Sequence, residues 1–456
     1  MNFIGLDIGS TSIKGVVWDI EKMRAVGEMI RVPGPGPVEG LPAGHFELDP
    51  LAVTAQVADV LDQLMATAGR CDGIVSCTQM AGVVLADERG TPLTNYLSWR
   101  DQRLLETYPG SQVSYYDVLR ERLGEKTLVQ LGRECKLGSS PSLLFWLKEK
   151  GELPPGSVPL MLGDFVGMRL GGAEPVTEFT NALGAMNLET RRWHDQAFRE
   201  LGIDRLRWPR LCAPATPVGK LSLGGAEIPW YPSVGDHQCA LAGTLLAENE
   251  LSINASTGSQ VSILRANYSP GDYQVRPYFD QQYLNTLTHL PAGRSLNALV
   301  DLLTELARSQ DLALEDPWHY ILSEVQKTDT DLGVELTFFP GPMGERGQIH
   351  NISLENFSVG PLFRAAFENM ADNYKAAANR LTSGQVERLV LSGGLVQRSE
   401  VLQEMIARRF PCPRRLFPGE EETMVGLLAL ALVASGQHES LLAASSSPHI
   451  RNLHMA

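Results

Sequence analysis

Apolar and polar positions alternate along the first twenty residues in a pattern that predicts a β-hairpin. Apolar side chains recur at every second position from Ile4 to Ile8, and a second apolar run at 13–19 follows a short polar turn. A period of two places one face of a strand against a core. The same pattern returns at 250–264, where the turn is again rich in Ser, Thr and Gly. This partial repeat predicts two related halves that each begin with a hairpin.

Helix and strand patterns follow in both halves. Residues 50–69 carry apolar side chains near helical spacing, whereas 386–394 reads as a strand that ends in two glycines and 399–410 as the helix after it. The apolar run at 424–436 is shorter than the ~20 residues of a membrane span, so we interpret it as a buried core helix and expect no membrane partner. The order of elements predicts a mixed α/β fold of two domains around a cleft.

The second hairpin and the composition of the last residues suggest the domain limits. We predict a first domain over 1–245, a second over 246–440 and a tail over 441–456, whose polar composition is typical of a frayed terminus.

Charge and cysteine usage limit the partners and the compartment. The chain has 39 Lys and Arg against 53 Asp and Glu, a formal net charge of −14, and no long basic run, which argues against a nucleic-acid partner. The 6 cysteines form no C-x-x-C pair and indicate reduced thiols. No leader-like segment precedes the first strand, so we expect a cytoplasmic protein.

The turn of the first hairpin, DIGSTSIK at 7–14, has the composition of a phosphate-binding loop. Neither a P-loop nor a dinucleotide-binding glycine motif occurs in the chain, so this turn is the main candidate, with an ordinary β-turn as the alternative. Gly9 permits a tight turn whose amides point at phosphate oxygens. Asp7 would hold Mg²⁺ through water, and Lys14 would supply a positive charge to a transferring phosphoryl group.

Two later loops supply complementary chemistry. The paired glycines at 393–394 leave room for a flat ligand such as adenine against the backbone, although an ordinary strand-to-helix turn has the same appearance. Asp236 stands where an apolar segment meets a loop. It is either a helix cap or a general base that accepts a proton from a substrate hydroxyl.

Further segments accompany these loops along the chain. In order they are DIGSTSIKGVVWD, HFELDP, TQMAG, SWRDQR, SLLFWLKE, LGDFV, GDHQCALAG, STGSQV, GER, LSGGL and the closing apolar helix. Together they resemble the FGGY family of carbohydrate kinases, within the superfamily of sugar kinases, actin and heat-shock chaperones, over nearly the whole chain. The resemblance implies two actin-like, ribonuclease H-like domains around a central cleft, with ATP and Mg²⁺ as cofactors and a sugar as substrate. A monomer and a homodimer both stay open.

The resemblance also implies a role for each matching residue. His237 stands where relatives place Gln or Asn against a sugar hydroxyl, and the apolar Met80 departs from the polar residue that many relatives have. The implied roles are Asp7 for Mg-ATP; Ser10, Thr11 and Lys14 for the phosphates from the first domain; Thr257 and Gly258 for the phosphates from the second; Gly393, Gly394 and Leu395 for adenosine; Gln79, Met80, Trp99, Asp101 and His237 for the sugar; and Asp236 as the catalytic base.

The segments GDHQCAL and RPYFDQQYLN look most like the sedoheptulokinase branch of this family. The implied reaction is transfer of the γ-phosphoryl group of ATP to a terminal hydroxyl of a ketose, with sedoheptulose first. Xylulose, fructose-like sugars, glycerol and aldonic sugars are the alternatives. An actin-like or chaperone-like ATPase switch shares the hairpins but needs no sugar loops, and the intact Asp7, Lys14 and Asp236 disfavour a non-catalytic sugar sensor.

Overall fold

A computed structural model describes residues 1–419, 421–447 and 450 of the chain. The strands are β1 (Asn2–Ile8), β2 (Ser12–Asp19), β3 (Arg24–Pro33), β4 (Glu47–Leu48), β5 (Gly73–Thr78), β6 (Val84–Ala86), β7 (Tyr96–Leu97), β8 (Val158–Leu160), β9 (Val176–Glu178), β10 (Met186–Asn187), β11 (Arg192–Trp193), β12 (Arg210–Cys212), β13 (Gly219–Leu223), β14 (Ala226–Trp230), β15 (Val234–Gly235), β16 (Glu250–Ala255), β17 (Ser259–Arg265), β18 (Gln274–Pro277), β19 (Tyr283–Leu290), β20 (Gly333–Glu335), β21 (Gln348–His350), β22 (Arg388–Ser392) and β23 (Arg414–Leu416).

The helices cover the faces and ends of the sheets. They are α1 (Pro50–Ala68), α2 (Tyr115–Gln130), α3 (Ser140–Lys150), α4 (Leu162–Gly171), α5 (Asp195–Leu201), α6 (Asp236–Gly243), α7 (Gly293–Ser309), α8 (Pro317–Lys327), α9 (Val359–Leu381), α10 (Gly394–Arg398), α11 (Glu400–Arg409), α12 (Glu422–Ala434) and α13 (Leu441–Ser446). Short 3-10 helices cover Arg103–Leu105 and Phe179–Asn181.

Two large sheets dominate the described part of the chain. The first has seven strands in the order β13-β14-β5-β1-β2-β3, with β15 paired to β5, and the second has six in the order β18-β19-β17-β16-β22-β23. In each sheet an antiparallel hairpin, β1/β2 or β16/β17, is extended by one further antiparallel strand and, on its other side, by one parallel strand. The predicted pair of related mixed α/β halves is confirmed, while the domain limits stay a prediction.

The apolar helix α12 packs between the two sheets. Leu427 and Leu428 of this helix are fully buried in one cluster with Phe3 of the first sheet and Val390 of the second. Each leucine buried in this way contributes about 1.5–3 kcal/mol. The predicted core helix is confirmed, and none of the helices in the described ranges is long and apolar enough to cross a membrane.

The first part of the predicted tail is ordered. In α13 the Ser440 side chain accepts a hydrogen bond from the Ala443 backbone nitrogen at 3.1 Å. Leu441 and Ile450 are buried in the same cluster as α12. Burial of these apolar side chains outweighs the polar composition that predicted fraying. The remaining part of the predicted tail, at 448–449 and 451–456, lies outside the described residues.

Candidate active site

Three neighbouring strands bring two distant carboxylates to one edge of the first sheet. Strand β1 lies parallel to β5 with Asp7 beside Cys77, and β15 lies parallel to β5 with Val234 beside the same Cys77. Asp236 follows directly after β15 as the first residue of α6. Because the carboxyl ends of parallel strands meet at one edge of a sheet, Asp7 and Asp236 face the same space.

A cavity of about 460 Å³ opens at this edge. The predicted site residues that line it are Asp7, Ser10, Thr11, Lys14, Gln79, Met80, Trp99, Asp236 and His237. Lining residues that the sequence analysis did not identify are Glu134, Lys136, Gln260, Arg276, Thr288, His289 and Thr423, among others. The structure therefore joins most of the predicted phosphate and sugar residues of the first half, and adds a wall from the second half.

The first hairpin places a lysine beside an aspartate. Gly9 N donates to the Ser12 carbonyl at 3.1 Å, and a Cβ on Gly9 would lie 2.9 Å from that oxygen, so this close approach favours glycine. Lys14 pairs with Asp7 in the register of the strands. Its Nζ lies 3.5 Å from Asp7 Oδ2 and 2.8 Å from Glu421 Oε2. The ammonium group is thus held at the cavity by two carboxylates.

The first turn of α12 connects elements of both halves. Thr423 Oγ1 donates to Asp7 Oδ2 at 3.3 Å across 416 positions of the sequence. Glu421 Oε2 pairs with Lys14 Nζ at 2.8 Å. The sequence analysis missed these contacts because nothing in the composition of an apolar helix marks which distant strand its first turn will reach.

Asp236 lies in the first turn of α6 and is not the N-cap residue of that helix. Gly235 is the N-cap residue of α6, and Asp236 Oδ1 accepts a hydrogen bond from the His237 backbone nitrogen at 2.7 Å. Burial and the negative charge of Asp7 raise the pKa of Asp236 to about 7. Burial also raises the pKa of Asp7, against the opposing effects of Lys14 and other neighbours. A carboxyl group with a pKa near neutrality is suited to proton transfer at physiological pH.

Gln79, Met80 and Trp99 form another part of the cavity wall. Gln79 is buried, and its Oε1 has no hydrogen-bonding partner within the described ranges. Met80 packs closely on Gly235, since a Cβ on Gly235 would lie 2.6 Å from Met80 Sδ. Trp99 is 41% exposed. A buried polar atom without a protein partner costs about 1–3 kcal/mol, which a ligand that pairs with it would recover.

The residues of the second half that were predicted to bind the nucleotide lie together at the second sheet, apart from this cavity lining. Thr257 and Gly258 form the exposed turn between β16 and β17. Gly393 has φ +93°, and a Cβ there would lie 2.5 Å from the Ala255 carbonyl oxygen. Gly394 and Leu395 begin α10 directly after it. The two groups adjoin because β16 and β22 are parallel neighbours, and their roles in nucleotide binding stay predictions.

Asp101 lies outside the cavity in which the sequence analysis placed it. Its fully buried carboxylate accepts hydrogen bonds from Arg103 Nε and Nη2, each at 2.8 Å, and from the Phe46 backbone nitrogen at 2.7 Å. Glu47 Oε1 accepts a further bond from Arg103 Nη2 at 2.6 Å. Asp101 therefore anchors the loop that carries Trp99 and does not line the cavity.

Replacing Asp101 by asparagine is expected to lower the free energy of unfolding by about 3 kcal/mol, because it breaks a buried ion pair with Arg103. Urea denaturation measures this change. Asp301→Asn is the control, since its ion pair with Arg308 is exposed and should contribute at most about 1 kcal/mol. An unchanged denaturation curve combined with weaker ligand binding in the cavity would contradict this account.

Comparisons with known proteins agree on one family. A family model described as the FGGY family of carbohydrate kinases, N-terminal domain, matches residues 2–242. Human sedoheptulokinase is 26% identical over 273 residues, which cover 54% of this chain and 56% of that protein. Mouse sedoheptulokinase is 23% identical over 462 residues, which cover 90% and 93%.

Kinases that act on other substrates are also similar to this chain. A glycerol kinase from Thermococcus onnurineus is 28% identical over 279 residues, which cover 57% of this chain and 53% of that protein. The alignments with the human protein and with this glycerol kinase thus span little more than half of those proteins. A solved structure of ligand-bound xylulose kinase from Lactobacillus acidophilus superimposes with a TM-score of 0.82 at 18% identity, covering 100% of this chain and 95% of that one.

Proposed function

The chain belongs to the FGGY family of carbohydrate kinases, and we propose that it transfers the γ-phosphoryl group of ATP to a terminal hydroxyl group of a ketose, with sedoheptulose as the first candidate. Family membership implies the use of ATP and an alcohol as acceptor. The observation that carries the proposal is the position of Asp236, whose carboxyl group shares one cavity with Asp7 and Lys14.

Asp236 acts as the general base in the proposed reaction. The sugar hydroxyl lies against its carboxylate and gives up its proton to it as the new oxygen–phosphorus bond forms, while the bond from the γ-phosphorus to the oxygen that leaves with ADP breaks. Lys14 and the hairpin amides neutralise charge on the phosphoryl oxygens. Most of the rate enhancement then comes from positioning and electrostatics.

Asp7 is the carboxylate that best fits a magnesium ion brought in with ATP. No group of three or more His, Cys, Asp or Glu in the described ranges could hold a metal ion alone. Mg²⁺ bound to a nucleotide keeps several waters and needs only one or two carboxylates, so a single Asp7 suffices. When bound, the ion would neutralise negative charge on the phosphates.

The two sheets carry different parts of the proposed site. The phosphate hairpin belongs to the first sheet and Asp236 follows its strand β15, whereas Thr257, Gly258 and Gly393 follow strands of the second sheet. We expect the two halves to close on the bound substrates, which would exclude water and limit ATP hydrolysis.

The choice of sedoheptulose rests on likeness alone. Mouse sedoheptulokinase aligns over 90% of this chain, and the segment at 276–285 resembles that branch. The glycerol kinase at 28% identity keeps a polyol as the second candidate, and other ketoses such as xylulose follow.

A panel of acceptors tests the proposal. The purified protein, ATP and Mg²⁺ are incubated with sedoheptulose, xylulose, fructose, glycerol or gluconate, and ADP release is measured together with the mass of the product. We expect ADP release that depends on the acceptor, with the highest kcat/KM for sedoheptulose. A rate of ADP release that is the same with and without every acceptor would contradict the kinase function and favour an ATPase switch. A higher kcat/KM for another acceptor would overturn the choice of sugar alone.

The pH dependence of the reaction should reflect the pKa of the general base, Asp236. Because burial and Asp7 raise the pKa of Asp236 to about 7, and because the base must be ionised to accept a proton, kcat/KM for the sugar should fall as the pH drops below about 7. Initial rates between about pH 5 and about pH 9, with saturating ATP, measure this. A rate that stays constant down to about pH 5 would contradict the assignment, since a solvent-exposed aspartate has a pKa of about 4.

A further inference from the structure

A buried arginine contacts the histidine next to the proposed base. Arg276 Nη1 lies 2.8 Å from His237 Nδ1, and both side chains are buried. Both residues line the cavity. They belong to different halves, since Arg276 lies in β18 and His237 in α6. The contact therefore joins the second sheet to α6, the helix that begins with Asp236.

The direction of this hydrogen bond follows from chemistry. A guanidinium group carries donors only, so Nδ1 of His237 must accept. Burial and the positive charge of Arg276 hold the pKa of His237 well below its ordinary value, so the imidazole is neutral. A neutral ring that accepts at Nδ1 carries its proton on Nε2. That Nε2 is buried and has no hydrogen-bonding partner in the described part of the chain.

Arg276 is itself held in place on its other side. Its Nε donates to Glu134 Oε1 at 2.6 Å, and the other oxygen of Glu134 lies 3.5 Å from Lys136 Nζ. Glu134 is 3% exposed, and the positive charges of Arg276 and Lys136 keep its pKa low despite burial. The orientation of the guanidinium group is thus determined by a buried, ionised partner.

We propose that the Glu134–Arg276 pair is a positioning device for His237, which fixes the ring in its Nε2–H form and presents that N–H to an oxygen of the sugar beside the hydroxyl that Asp236 deprotonates. The inference rests on the proposed function and deepens it. Glu134 and Arg276 act only through His237. Because Nε2 of His237 donates a hydrogen bond, the site selects a sugar that has an accepting hydroxyl or carbonyl oxygen next to the reacting hydroxyl.

The neutral form of His237 also protects the base. An imidazolium next to Asp236 would pair with the carboxylate and lower its basicity. Arg276 opposes protonation of the ring by its own charge. The titratable and charged groups that line the cavity together with His237 are Asp7, Lys14, Glu134, Lys136, Asp236, Arg276 and His289.

A double-mutant cycle on Arg276 and His237 tests the proposal, with the acceptor that the unsubstituted protein uses best. Arg276→Met should lower kcat/KM for the sugar by about 10- to 100-fold, the effect of one lost or misdirected hydrogen bond, with little change in the KM for ATP. In the His237→Ala background the same change should cost almost nothing, because the residue through which it acts is gone. Additive effects would overturn the proposal, since they would place Arg276 directly on the substrate or in a purely structural role.

The pH profile separates positioning from general loss of structure. In Arg276→Met the ring can take up a proton nearer neutrality, so kcat/KM should acquire an additional loss at low pH that the double variant lacks. His237→Gln should retain more activity than His237→Ala, because an amide can accept from Arg276 and donate to the sugar. Arg409→Met is the matched control, since it breaks ion pairs with Glu368 and Asp372 and none of these residues lines the cavity.

Nitrogen-15 NMR of the histidine rings reads the tautomer without any turnover. We expect the unsubstituted protein to show His237 protonated on Nε2, and Arg276→Met to show a mixture of tautomers. A proton on Nδ1 in the unsubstituted protein would overturn the proposal even if the variants fold poorly. If no acceptor is phosphorylated, the proposed function fails, whereas the NMR result still decides the state of His237.

Discussion

Replacing Asp236 by asparagine is expected to lower sugar-dependent ADP formation by about 10²- to 10⁴-fold, the usual contribution of a general base. Asparagine keeps the size of the side chain but cannot accept the proton of the sugar hydroxyl. The neighbouring Asp7 and Lys14 are unchanged, so ATP binding measured by calorimetry should stay close to that of the unsubstituted protein. Turnover near the original rate would contradict the role of Asp236.

The stability of this variant provides a check on the interpretation. Because the pKa of Asp236 is raised in the folded protein, its ionisation opposes folding, and the stability lost to it grows as the pH rises from about 4 to about 7. The amide that replaces this carboxyl group does not ionise. Above about pH 7 the free energy of unfolding of Asp236→Asn should therefore not be lower than that of the unsubstituted protein. Asp164→Asn is a matched control, because burial likewise raises the pKa of Asp164, to about 8. Its carboxylate accepts a hydrogen bond from Thr177, and neither of these two residues lines the cavity.

Replacing Asp7 by asparagine is expected to lower kcat by about 10²- to 10³-fold, comparable with the loss of one preorganised electrostatic contact to a transition state. The change removes the carboxylate that faces Lys14 at 3.5 Å and Thr423 at 3.3 Å, and with it the proposed support for the Mg²⁺ of the nucleotide. The Mg²⁺ concentration needed for half-maximal rate should rise. A magnesium titration at saturating ATP measures both effects.

The control for Asp7 lies at the far end of the same hairpin. Asp19→Asn removes a carboxylate that bonds to Lys22 and stands outside the cavity lining, so kcat and the magnesium requirement should stay unchanged. If Asp7→Asn retains its rate and its dependence on Mg²⁺, Asp7 does not organise the nucleotide.

The elements that the sequence predicted well are those with a local signal. Alternation at 2–8 and at 250–255 predicted the strands β1 and β16, and helical spacing predicted α1. Such periodicity records which face of an element meets the core, and it needs no knowledge of the partner. The order of the hairpins and helices was therefore enough to predict two related mixed α/β halves, whereas Asp7 and Asp236 became candidates through the composition of their loops and the family resemblance.

Asp101 shows where local reasoning stops. Its segment, SWRDQR, resembles a sugar-site loop, and Trp99 of that loop does line the cavity. Asp101 turns away instead, because Arg103, two positions along, offers it a buried bidentate partner. Which of two neighbouring side chains faces the ligand depends on the backbone path of the loop, and composition does not record that path.

The sequence by itself determined the two hairpins, the strand β22, the helices α1, α11 and α12 and the order of these elements, since each depends on short-range periodicity and composition. Only the tertiary structure decided that Thr423 reaches Asp7 across 416 positions and that Glu134 holds Arg276 across 142. The physical reason is that hydrogen bonds and charge pairs act over a few ångströms, so their partners are chosen by where the packed sheets bring the chain together and not by distance along it.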